Sequence, residues 1–184
     1  MGSALTVSQQ AKHEPHMALV LQSFSTAGLR AFLQEDEESY ANDPERIRAA
    51  MPELVRKRFG SPYPGATNDD DEGSSAAFSV GTAPPIAEEL LHRAATNLLG
   101  MAGLLTLIPG GYAPYAEAIE TPVFIATGDR DLGRANLVPP MLPKAREVLA
   151  YTLRDSRHCH NVANTRAELW DRTADWLDGV VRRG

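Results

Sequence analysis

A chain of 184 residues, 43% hydrophobic and 23% charged, fits one globular domain and lacks the composition of a disordered segment. Its 18 Lys and Arg against 24 Asp and Glu leave a net charge of −6 and no basic block, which argues against nucleic acid as a partner. A single cysteine, Cys159, excludes an intrachain disulfide framework and a cysteine-rich zinc site, and suits a reducing compartment, with the cytoplasm as the expected location.

No basic stretch followed by a long apolar run opens the chain, so no secretory signal is expected. Met1-Gly2-Ser3-Ala4-Leu5-Thr6 fits the myristoylation template, but that template asks little beyond Gly after Met. Residues Ala4 to Ala11 read as the end of a helix, broken by His13-Glu14-Pro15. Met17 to Leu21 is a short run, apolar on both faces, as in a buried parallel strand. Asp43-Pro44-Glu45 carries the N-cap and first-turn proline of a helix start, and Ile47, Met51, Leu54 and Val55 continue it at helical spacing to about Arg58.

Ser61 to Thr82 is rich in Gly, Ser, Pro and Asp, and its acidic run Asn68 to Glu72 lacks the ligand spacing of a calcium loop, so a solvated loop is expected. Pro84-Pro85 opens a second helical region through Leu107. Within it, Leu98 to Ile108 falls short of the roughly 18 apolar residues needed to span a bilayer and reads as a buried or lid helix. Thr121 to Thr127 is a second buried strand running into Gly128-Asp129-Arg130-Asp131. Leu142 to Leu149 is expected as a short helix and Ala150 to Arg154 as a third strand. Thr165 to Val181 is expected as an amphipathic helix turning Leu169, Trp170, Ala174, Trp176 and Leu177 to the core. Alternating strands and helices imply an α/β fold with a parallel sheet covered on both faces.

In such sheets ligands gather at the carboxyl ends of the strands. Asp129 and Asp131 follow the second strand; His158 and His160 follow the third, with Asp155 nearby. An Asp that orients a His, which then serves as general base for a nucleophile, is the logic of acyl transfer. His158-Cys159-His160 would also suit a metal, but no third and fourth ligand is evident. Cys159 as a nucleophile would lie on the loop expected to supply the base.

Thr121 to Leu132, with its strand and Gly-x-x-Asp turn, and Ser156 to Leu177, with its histidine loop and closing helix, resemble the corresponding segments of α/β-hydrolases. The resemblance covers most of residues 1 to 28 and 114 to 178. It implies a partial α/β-hydrolase of about three parallel strands, with residues 1–24 and 113–184 as core and 25–112 as a largely helical cap. By the Gly-x-x-Asp pattern the acid is Asp131, with Asp129 the alternative. By its place before Trp176-Leu177 the base is His158, although Arg157 replaces the glycine of the family's Gly-His pair, and His160 is the alternative. No Gly-x-Ser-x-Gly occurs in the 184 residues. Met1-Gly2-Ser3 resembles that motif beginning one residue after the nucleophile. The resemblance therefore implies a nucleophile upstream of Met1, with the Met1 backbone N–H as one oxyanion donor.

The resulting expectation is a hydrolase of ester, amide or similar carbonyl substrates, needing no cofactor and no metal, with an apolar small molecule as substrate and no membrane partner. The isolated chain would be inactive and open to self-association through its exposed sheet edge. An aspartate nucleophile would instead imply an epoxide hydrolase or dehalogenase. A non-catalytic ligand-binding or interaction module is the alternative from another class.

Overall fold

In the computed structural model, residues 1–64, 78–94, 97 and 99–183 are described; the acidic run at 68–72 lies outside them. Helix α1 (Gly2–His13) leads into strand β1 (Leu19–Gln22). A short 3-10 turn (Arg30–Phe32) and helices α2 (Glu35–Glu38), α3 (Pro44–Phe59), α4 (Pro85–Arg93), α5 (Gly100–Leu107) and α6 (Ala113–Ala116) follow. Strand β2 (Val123–Gly128), strand β3 (Val148–Leu153) and helix α7 (Arg166–Arg183) complete the fold.

The three strands form one parallel sheet in the order β1-β2-β3, with Leu19 opposite Val123 and Val123 opposite Val148. All six residues of β2 are buried, which is why its sequence is apolar without alternation. The strand period of two then divides the core. Leu19, Leu21, Val123 and Ile125 pack against Ala4 and Val7 of α1 and against Ala116 and Ile119. Phe124, Ala126 and Leu153 pack on the other face against Leu169, Trp176 and Val180 of α7. The Phe124 and Trp176 ring centroids lie 5.6 Å apart.

Two expectations are corrected here. No helix forms over Leu142 to Leu149: β2 and β3 are joined by 3-10 turns at Ala135–Leu137 and Pro139–Met141, and Val148 and Leu149 already belong to β3. Pro143 biases Leu142 away from the helical region, and Val148 and Leu149 pair with Val123 and Phe124 of β2 rather than closing a helical turn. In α7, Trp170 is 48% exposed and Ala174 is exposed, whereas Leu169, Trp176 and Val180 are buried. At about 100° per residue only the latter three fall on one stripe, and position 170 turns away from it.

The segment between β1 and β2 has its own core. Asp43 accepts a hydrogen bond from the Arg46 N–H at 3.0 Å and starts α3, Pro44 occupies the first turn, and Gly60 at φ 69° ends it. Ile47, Met51, Leu54 and Val55 of α3 pack on Leu104 of α5 and on Ile108. Arg58, near the end of α3, bonds the buried Glu37 carboxylate at 2.5 Å and the Phe32 carbonyl at 2.9 Å, tying the helices to the turn after β1.

Candidate active site

Gly128 ends β2 where a side chain has no room. A Cβ there would sit 2.0 Å from the Ser156 carbonyl oxygen, an atom of the loop after β3. That closeness lets Ser156 accept from the Arg130 N–H at 3.0 Å and brings the two loops together. Asp129 reinforces the junction, its carboxylate accepting from the backbone N–H groups of Asp155 at 3.0 Å and Ser156 at 3.1 Å. Burial pushes the Asp129 carboxyl up, but these N–H bonds and the nearby Arg130 outweigh it and hold it below the usual carboxylate range. Asp129 thus ties loop to loop and touches neither histidine.

Asp131 turns inward, and its side chain is fully buried. Its Oδ1 accepts from His158 Nδ1 at 2.9 Å and from the Leu132 N–H at 2.6 Å. Its Oδ2 receives His160 Nε2 at 3.1 Å and the Ser23 hydroxyl. Burial alone would raise this carboxyl, but bonds from His158, His160 and Ser23 overcome it and keep Asp131 ionised well below the usual range. The structure therefore gathers Asp131, His158 and His160 around one carboxylate.

The two histidines differ in exposure. The His158 side chain is 29% exposed, while that of His160 is 1% exposed. With Nδ1 on Asp131, His158 Nε2 has no partner among the described residues, and His158 lines a cavity of about 460 Å³ together with Met1, Phe24, Leu29, Phe32, Phe59 and Leu107. Phe78 lies edge-on to the His158 ring, centroids 5.3 Å apart. The segment after Phe78 clamps this loop: the carbonyls of Phe78, Val80 and Thr82 accept from the Cys159 N–H, Arg157 Nε and the Asn164 N–H at 2.8, 2.9 and 2.8 Å. Burial and the Asp131 charge push the Cys159 thiol up, which leaves little thiolate for nucleophilic attack. Among the described residues no group of three or more His, Cys, Asp and Glu side chains is placed to hold a metal ion.

Ser23 was not singled out from the sequence as part of the site. It directly follows β1, and that is the strand-end position that drew attention to Asp129 and Asp131. Its Oγ is 3.4 Å from His160 Nε2, the same nitrogen that meets Asp131. A Ser-His-Asp relay needs the two ring nitrogens on opposite partners. Ser23 and His160 cannot make one.

No protein-family model matches the sequence, and no curated protein matches it. Solved structures do. The enol-lactonase from Burkholderia xenovorans LB400 superposes with a TM-score of 0.54 at 17% identity, over 97% of this chain and 63% of that one. A thermophilic esterase from Thermogutta terrifontis gives 0.54 at 10% identity, over 97% and 62%. A bromoperoxidase from Bacillus anthracis gives 0.51 at 15% identity, over 99% and 64%. The fold is that of part of an α/β-hydrolase. The chain spans a little under two thirds of the length of those structures. In it, as in the α/β-hydrolase sheet expected from the sequence, the polar cluster sits at the carboxyl ends of the strands. Among the described residues, no helix is long and apolar enough to cross a membrane.

Proposed function

We propose that this chain supplies the acid and base of an α/β-hydrolase that cleaves an ester, amide or similar carbonyl substrate, the nucleophile coming from polypeptide outside these 184 residues. The observation that carries the reading is the His158 Nδ1 to Asp131 Oδ1 contact of 2.9 Å beside a cavity. An ionised Asp131 fixes the proton of His158 on Nδ1 and leaves the Nε2 lone pair to accept a proton from an attacking hydroxyl. Asp131 then offsets the charge of the imidazolium until His158 returns the proton to the leaving group.

The cavity favours an apolar substrate group, because its lining is mainly apolar and includes Phe24, Leu29, Phe32, Phe59, Phe78 and Leu107. Residues 25–112 serve in this reading as the cap over it. Met1 at the start of α1 lines the same cavity, and its backbone N–H is the proposed oxyanion donor. Ser23 is not the nucleophile, since its hydroxyl is given to the Asp131 carboxylate. β1 pairs only with β2 among the described residues, and the Ser3 hydroxyl covers the backbone of Gln22 on the other side. The rest of that edge is where a further strand, or a second copy, would add.

The test starts from the DNA 5′ of the Met1 codon, read in frame for Gly-x-Ser or Gly-x-Asp, followed by expression of the longer chain. The 184 residues alone are expected to leave p-nitrophenyl esters untouched, and the longer chain to hydrolyse them. His158→Ala in the longer chain should lower kcat by about 10⁶. An unrelated upstream sequence, or hydrolysis indifferent to His158, would overturn the reading. The cavity also fits a module that binds a small apolar ligand without catalysis; saturable ligand binding by a longer chain with no esterase activity would favour that alternative.

A further inference from the structure

We infer that His160 and Ser23 are positioning residues that lock the torsion of the Asp131 carboxylate so that Oδ1 stays on His158. The inference rests on the Asp131 to His158 pairing proposed above. A carboxylate offers about four acceptor positions, and Asp131 fills them with two donors on each oxygen, His158 and Leu132 on Oδ1, His160 and Ser23 on Oδ2. The terminal torsion of an aspartate is broad and roughly two-fold, so bonds to one oxygen alone do not fix the plane of the group. Donors on Oδ2 that are anchored elsewhere do fix it.

Both donors are anchored. His160 is 1% exposed and begins the 3-10 turn His160–Val162, and its Nε2 must carry the proton if it is to donate to Oδ2. Ser23 sits at φ 56°, a left-handed conformation that a non-glycine residue adopts only at a steric cost. Its N–H donates to the Ala126 carbonyl at 2.9 Å, and that bond to β2 holds the strained residue in place. Asn or Gly would sit there with less strain, but Gly supplies no side-chain donor at all and Asn a longer one. Ser provides a short hydroxyl at the position that reaches Oδ2.

The test reads the tautomer of His158 by nitrogen NMR of the whole 184-residue chain at neutral pH, with Asp131→Asn as reference. Wild type should show the proton on Nδ1. His160→Leu should lose that single form to a mixture, and His160→Gln, whose amide can donate from a similar place, should restore it. Ser23→Gly should hold or raise the melting temperature by relieving the backbone, yet still loosen the tautomer, a pairing of effects that a purely structural role would not give. If His160→Leu does not fold, Ser23→Gly and His160→Gln decide. A wild-type tautomer in His160→Leu, or in Ser23→Gly where only that variant folds, overturns the positioning role and leaves the acid–base pair standing. A wild-type His158 protonated on Nε2, unchanged by Asp131→Asn, overturns the pair itself.

Discussion

The carboxyl end of the sheet and the helical segment between β1 and β2 are built on opposite principles. At the sheet end polar groups are held by several partners each: four donors on the buried Asp131, two on the exposed Asp129, with a carbonyl wedged against Gly128. In the helical segment, apart from the Arg58–Glu37 pair, the core between α3 and α5 is apolar and interchangeable in kind, with Ile47, Met51, Leu54, Val55, Leu104 and Ile108 packed on one another. The first region fixes where a proton can move. The second fixes only the shape of the cavity wall. Perturbing one should therefore leave the signature of the other intact.

Gly128→Ala should be the most damaging single change, because its Cβ meets backbone rather than a yielding side chain. We expect a loss upward of about 3 kcal/mol, or roughly 6 to 12 °C in melting temperature for a chain of this size, measured by circular dichroism. A shift within experimental error would show that the two loops are not tightly coupled. Leu104→Ala, at a fully buried position of the helical core, should cost about 3 kcal/mol through cavity formation yet leave the nitrogen signals of His158 unaltered. Altered signals would merge the two regions into one.

Asp131→Asn should cost about 2 kcal/mol at neutral pH, since one acceptor oxygen is exchanged for a donor facing donors. The sign of its pH dependence follows from the folded carboxyl lying below its unfolded value. The wild-type advantage is fully present above about pH 4, the unfolded range, and declines as the pH falls through the folded value. Paired melts of wild type and variant from pH 7 downward would show the gap closing; a gap that widens on acidification would reverse the assignment. Asp129→Asn should have the smallest effect, under about 1 kcal/mol, as for loss of an exposed loop cap, with the His158 tautomer unchanged.

Much of this contrast was legible in the sequence. The apolar runs near 17–21 and 121–127 became β1 and β2 with small shifts of boundary, because a strand buried on both faces leaves no ambiguity of face. The order Asp then His, each after a strand, was enough to name four candidates around one end of the sheet. Choosing among them was not a matter of pattern. Asp129 and Asp131 are two residues apart, and only the positions of the Ser156 and Asp155 N–H groups decide which turns inward. The run 142–149 misled for the opposite reason: its apolar residues fit a helical period, but Pro143 turns Leu142 out of the helical region and the edge of β2 takes only Val148 and Leu149 into β3. Ser23 was passed over because a serine was sought only as the nucleophile of a Gly-x-Ser-x-Gly motif, and not as a donor to the acid.

The three carbonyls of Phe78, Val80 and Thr82 that hold the histidine loop have a bearing on traffic. A molecule that reached the cavity by lifting this segment would break three hydrogen bonds, each worth about 1 kcal/mol, and would drag the His158 loop with it. Such an opening would disarm the base at the moment of arrival. Phe32, Phe59 and Leu107 line the same cavity, and among the described residues none of them has a main-chain bond to the histidine loop. The Phe78 side is thereby a fixed part of the rim.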